Sequence, residues 1–165
     1  MSRTKRSFVV LGVTTLALFS STAGAGATPG VVSEPSCVTV VKKVPGKNKT
    51  EVVSNQCSAD PSSLRRPTDS NLLVTFYADA NYGIPFSEVR ADDGPCDSEG
   101  YGLSDLDDIN DEIGISSYII GSDCNEQIYY DDTDFDGSAS GHLNDNPWVG
   151  EPWNDNLLSM QLWHS

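Results

Sequence analysis

Apolar residues in this chain come in short runs, separated by polar stretches rich in Asp, Gly, Asn and Pro. Four runs carry the β-branched and aromatic residues of half-buried strands: LLVTFY at 72–77, ISSYII at 115–120, QIYY at 127–130 and LLSMQLW at 157–163. In the last of these, Leu157, Ser159, Gln161 and Trp163 alternate with Leu158, Met160 and Leu162. One segment has a different rhythm. Leu103, Leu106, Ile109 and Ile113 fall at spacings of 3, 3 and 4, which predicts one or two helical turns packed on a sheet. Short strands with turn signals between them predict an all-β sandwich or barrel.

The first residues read as an address. Arg3, Lys5 and Arg6 precede a largely apolar run at 8–19, and small residues follow up to Ala27. This is the three-part layout of a secretory signal peptide, placed at residues 1–27. The run is short beside the roughly 20 apolar residues of a membrane span. The expected product is secreted, extracellular and free of the membrane after signal removal. In an oxidising compartment the four cysteines, Cys37, Cys57, Cys96 and Cys124, are most simply two disulfides. Cys37 and Cys57 bracket two β-rich runs (38–41 and 51–53) around a Pro-Gly-Lys-Asn turn, which predicts a hairpin stapled at its base. Local pairing, with Cys96 joined to Cys124, is preferred, although sequence alone allows three connectivities. Residues 28–71 then read as leader, stapled hairpin and linker, and residues 72–165 as the main β domain.

Charge sharpens this division. The chain carries 10 Lys+Arg against 24 Asp+Glu, a net charge of −14. Residues 28–70 hold six bases and four acids, whereas residues 71–165 hold 20 acids and one base, Arg90. Such a chain repels phosphate backbones, so no nucleic-acid partner is expected. It suits a protein that meets cations or basic partners.

The β domain contains a repeat. FYADANYG (76–83) and YYDDTDFDG (129–137) each place an aromatic, four mostly polar residues and a second aromatic, with glycine close by. Each copy closes on an Asn-Asp pair before a strand: NDEIGISSYII (110–120) and WNDNLLSMQLW (153–163). Two such copies indicate a duplicated β unit. The pattern resembles the βγ-crystallin family in its secreted bacterial, two-Greek-key form. Tyr130, Phe135 and Gly137 match that family's aromatic-x4-aromatic-x-Gly hairpin. Tyr77 and Tyr82 match it too, but Gly83 comes one residue early and Ile84 takes the glycine's place. The resemblance implies an all-β, two-Greek-key sandwich, here preceded by the disulfide-closed hairpin.

It also implies two calcium sites, each built from the Asn/Asp signature of one motif and the opening hairpin of the other. Asn154, Asp155 and Asn156 would face Asp79, and Asn110, Asp111 and Ser116 would face Asp132. Calcium takes about six to eight oxygen ligands, which these residue types supply. Leu158 stands where the signature has a hydroxyl, and Ser116 follows its Asn-Asp pair two residues late. Both departures predict weakened sites.

A second calcium pattern overlaps the first. Asp132, Asp134, Asp136 and Gly137 form D-x-D-x-D-G, the opening of an EF-hand loop. The twelfth position is Leu143 where that loop needs a bidentate Glu, and the flanks read as strand. An acidic hairpin tip explains the same residues without a metal. No catalytic constellation is visible. The two histidines, His142 and His164, sit in a Gly-rich stretch and at the C-terminal end, and no G-x-S-x-G motif accompanies Ser138 or Ser140. The function expected is a secreted, non-enzymatic protein that binds calcium for structural stability. The alternative is a secreted inhibitor or toxin-like interaction protein, a peptidase inhibitor for example, with the Lys-rich hairpin tip at 42–49 as the contact loop for an extracellular protein partner.

Overall fold

The computed structural model describes residues 35–110, 114–121 and 123–165. The signal-peptide reading falls on residues outside these. The hairpin comes first, as β1 (Ser36–Lys43) and β2 (Thr50–Ser58). The first copy of the repeat supplies β3 (Asn71–Tyr77), β4 (Pro85–Ala91), β5 (Tyr101–Leu103), the short helix α1 (Asp107–Asn110) and β6 (Ser117–Ile120). The second supplies β7 (Glu126–Tyr130), β8 (Ala139–Leu143) and β9 (Ser159–Trp163).

Two sheets result, in strand orders β2-β1-β4-β3-β6 and β5-β9-β7-β8. The copies exchange a segment. β5 lies between β4 and β6 in sequence, yet it pairs with β9 in the other sheet. In return Asn146, between β8 and β9, bridges Tyr118 of β6. Each copy is therefore a Greek key whose third segment belongs to its neighbour's sheet. Between the sheets lies one core, in which Leu73, Phe76, Tyr101, Leu103, Leu106, Ile115, Tyr118, Met160 and Leu162 are buried. Aromatic edges meet faces across it, with Tyr118–Tyr129 centroids at 5.9 Å and Tyr129–Trp153 at 5.5 Å.

The four strands and the hairpin expected from sequence are present, and both disulfides join local partners, Cys37–Cys57 and Cys96–Cys124. The hairpin does more than precede the β domain. β1 lies parallel to β4, with Cys37 opposite Ser87 and Val41 opposite Ala91. Its run of β-branched residues, Val38, Thr39, Val40 and Val41, suits burial on both faces, and residues 37–41 are all buried. Side chains on β4 fasten the following linker. Arg66 Nε donates to both Glu88 oxygens at 2.8 and 2.9 Å, and Arg90 donates to Ser70 Oγ and Ser70 O, each at 2.9 Å.

The hairpin tip turns on Pro45 and Gly46, with Gly46 at φ +74° and Lys47 N–H donating to Val44 O at 3.0 Å. Beyond the tip, Thr50 Oγ1 donates to Gly102 O at 2.9 Å, which ties the hairpin to β5 of the opposite sheet. Gly102 has no room for a side chain there, because a Cβ would sit 2.3 Å from Asn48 O. Of the lysines expected to form a free basic tip, Lys42 pairs with Glu51, Lys43 with Asp97 and Lys49 with Asp134. The helical turns expected around residues 103–113 shrink to four residues. Leu103 joins β5, Leu106 and Ile109 enter the core, and Ile113 lies outside the described residues.

Burial pushes the Tyr101 phenol up to about 12, with Asp93 and Asp97 acting in the same direction. Burial also raises Tyr118. In an unfolded chain tyrosine ionises near about 10. The folded protein thus keeps protons that the unfolded chain has lost, so this contribution is complete below about pH 10 and disappears as pH rises through about 12. Tyrosinate absorbance should show Tyr101 and Tyr118 still protonated where the tyrosines of an unfolded chain have ionised, and urea stability should fall over the same alkaline range.

Candidate cation site

The two repeat hairpins fold over in the same way. In the first, Asn81 and Tyr82 take left-handed φ values of 58° and 62°, and in the second Asp134 and Phe135 take 58° and 67°. Side-chain-bearing residues seldom adopt this conformation, so both hairpins need something to hold them. A buried serine does so in each. Ser117 Oγ donates to Asp79 O at 2.6 Å and accepts from Tyr82 N–H at 3.1 Å. Ser159 Oγ donates to Asp132 O at 2.6 Å and accepts from Phe135 N–H at 3.1 Å. Ring pairs support the folds, Tyr77 with Tyr82 at 5.6 Å and Tyr130 with Phe135 at 5.9 Å.

The tip of each hairpin is received by the exchanged segment of the other copy. Asn81 N–H donates to Pro147 O at 2.8 Å, and Asp134 N–H donates to Ser104 O at 2.7 Å. This superposition aligns Ser116 with Leu158, because Ser116 N–H donates to Tyr77 O and Leu158 N–H to Tyr130 O.

Ser116 is where oxygens converge. Its hydroxyl lies 2.6 Å from Ala78 O and 2.7 Å from Asn154 Oδ1. Asn154 Nδ2 donates to Asp155 Oδ2 at 2.8 Å. The Asp155 carboxylate lies over Gly114, where a Cβ would come within 2.1 Å of Oδ1. One backbone carbonyl, one hydroxyl, one amide oxygen and an adjoining carboxylate thus meet beside the first hairpin. These are hard oxygen donors, the type that suits calcium.

The residues named from sequence distribute unevenly around this point. Asn154 and Asp155 are part of it, and Asp79 contributes its carbonyl to the Ser117 lock while its side chain packs against Gly83. Asn156 follows in the same turn, exposed, with its N–H on Trp153 O. Ser116 changes group. Sequence pairs it with Asn110, Asp111 and Asp132, whereas the structure sets it against Asn154, because its N–H is bonded to β3 of its own motif. Asp111 and the side chain of Asn110 lie outside the described residues.

The D-x-D-x-D-G carboxylates have other partners. Asp132 accepts from Thr133 N–H and Asp136 from Gly137 N–H, while Asp134 pairs with Lys49. Among the described residues no three His, Cys, Asp or Glu side chains form a metal-holding group. Sequence reasoning missed the Ala78 carbonyl, since a backbone oxygen leaves no trace in residue type. It also missed the part played by Ser117 and Ser159, although their shared place at the start of the closing strands was a visible signal.

Comparison with solved structures finds βγ-crystallin domains. A βγ-crystallin domain from Clostridium beijerinckii is 28% identical, covering 56% of this chain and 99% of its own, with a TM-score of 0.40. A double mutant of that domain is 30% identical, covering 56% of this chain and 98% of its own, with a TM-score of 0.40. A clostrillin double mutant in complex with nickel is 30% identical, covering 55% of this chain and 97% of its own, with a TM-score of 0.39. No protein-family model and no curated protein matches the chain.

Replacing Ser117 by Ala leaves Asp79 O and Tyr82 N–H without their shared partner in a buried place. The expected cost is about 1–3 kcal/mol, with a similar loss for Ser159→Ala, read from urea unfolding. The exposed Ser138→Ala should leave the midpoint unchanged.

Proposed function

Since the chain belongs to the βγ-crystallin family, we propose that it is a secreted, non-enzymatic structural protein whose domain is stabilised by one calcium ion at the first hairpin. The convergence of Ser116 Oγ, Ala78 O and Asn154 Oδ1 carries this reading. All three are neutral oxygens, and Asp155, hydrogen-bonded to Asn154, adds the negative charge that a divalent ion needs nearby. Ala78 O and Asn154 Oδ1 each turn a lone pair toward the Ser116 hydroxyl. That hydroxyl must rotate its proton away to offer its own. When bound, the ion would bridge oxygens that now meet through the Ser116 hydroxyl, and it would tie the loop before β6 to the turn before β9.

The second hairpin is less suited to an ion. Leu158 replaces the hydroxyl that Ser116 supplies in the first motif, and Lys49 already brings a positive charge to Asp134. This argues for a single ion per chain. The acidic composition of residues 71–165 and the two disulfides fit an exported protein that relies on ions and cross-links for durability.

A ligand that binds only the folded state stabilises it by mass action. For a weak extracellular site, with Kd of about 0.1–1 mM, calcium at about 10 mM should add roughly 1.4–2.7 kcal/mol. This should appear as a rise of several degrees in the thermal midpoint, with calorimetric titration giving one ion per chain. Ser116→Ala should retain the fold in chelator and lose the calcium-dependent rise. Equal wild-type midpoints in chelator and in calcium would overturn the reading.

A further inference from the structure

Among the described residues the outer edge of the five-stranded sheet is β2, whose one strand neighbour is β1. It is nine residues long, contains no proline and carries one charge, Glu51, which Lys42 pairs at 2.7 Å. Val52 and Val53 are 46% and 49% exposed. Edge strands are ordinarily blunted by charge, proline or cover, because a free row of N–H and C=O groups invites another strand. Here no described strand pairs with the outer side.

What surrounds it has a definite chemistry. On one face the directly opposed pairs Val38–Gln56 and Val40–Ser54 floor a groove of about 430 Å³, walled by Arg65, Arg66 and Pro67. Most cations of this region are already satisfied. Lys42, Lys43, Lys49 and Arg66 all have carboxylate partners. Lys47 at the hairpin tip and Arg65 in the groove have none among the described residues. They stand near opposite ends of the free strand, in an otherwise acidic protein.

We propose that β2 is a docking edge for an extended acidic peptide segment of a partner protein. The segment adds as a sixth strand, with its carboxylates facing Lys47 and Arg65 and its apolar side chains beside the exposed Val52 and Val53. Backbone pairing supplies the attachment, and the two cations supply the choice of partner. A second copy of the chain is a poorer occupant, because it would bring the same uncompensated cations to the contact.

The test uses the full exported chain in chelator, so that its outcome is independent of calcium. The probe is a capped, labelled nine-residue peptide of alternating valine and aspartate, with a valine–lysine peptide as its counterpart. Fluorescence anisotropy should show the acidic peptide binding at least tenfold more tightly than the basic one, and weakening as salt rises. The double variant Lys47→Glu, Arg65→Glu should reverse that preference. Amide hydrogen exchange should slow in residues 51–57 when the acidic peptide is present. Equal binding of both peptides, no binding of either, protection elsewhere than β2, or a β2-paired homodimer in sedimentation would each overturn the proposal.

Discussion

Each half of this domain depends on one buried hydroxyl. A hairpin with two consecutive left-handed residues that are not glycine is costly, on the order of 1–3 kcal/mol for each such residue. Ser117 and Ser159 offset this by joining a carbonyl on one arm to an N–H on the other. Only a group that both donates and accepts can do so from one atom. Once the hairpins are closed, their tips are in place for the exchanged segments, and their aromatic rings pack as pairs. The oxygens beside Ser116 meet because its neighbour Ser117 has already fixed the first hairpin.

The stapled hairpin solves a different problem. Without it, β4 would be the outer strand of its sheet, and the valines of β1 would lack a place to be buried. Parallel pairing of β1 with β4 settles both, while Cys37–Cys57 and the Arg66–Glu88 and Arg90–Ser70 contacts hold hairpin and linker together. Arg90 is the one base in the last 95 residues, and it is used internally. Covering one edge has exposed another, so the sheet gains two strands and keeps an open side.

Much of the fold was legible because strands with β-branched and aromatic residues announce themselves. β4, β5 and β8 did not. β4 alternates small and charged residues around Val89, β5 is three residues long, and β8 reads ASGHL, with little apolar surface to show a period. Parallel attachment of the hairpin was also hidden, since strand pairing between distant segments depends on register and cover rather than local pattern. At the candidate site, the Asn154–Asp155 pair was legible from its type and spacing. The partner of Ser116 was not, because the fold decides which loop crosses which. In the acidic D-x-D-x-D-G run the residue types were legible and their hydrogen-bond and ion-pair partners were not. Its residue types suggested a ligand set, whereas each carboxylate serves a turn or an ion pair.

The exchange of β5 and Asn146 bears on how such a domain can arise and fail. A single copy of the repeat would leave its own sheet short of one segment and its hairpin tip without a receiver. Duplication therefore did not add a second independent module; it created the first complete one. The halves share an interior to which each gives a piece that the other cannot replace. A chain cut between them should yield fragments that are incompetent apart and complementary together, and intact domains should come undone as a whole rather than one repeat at a time.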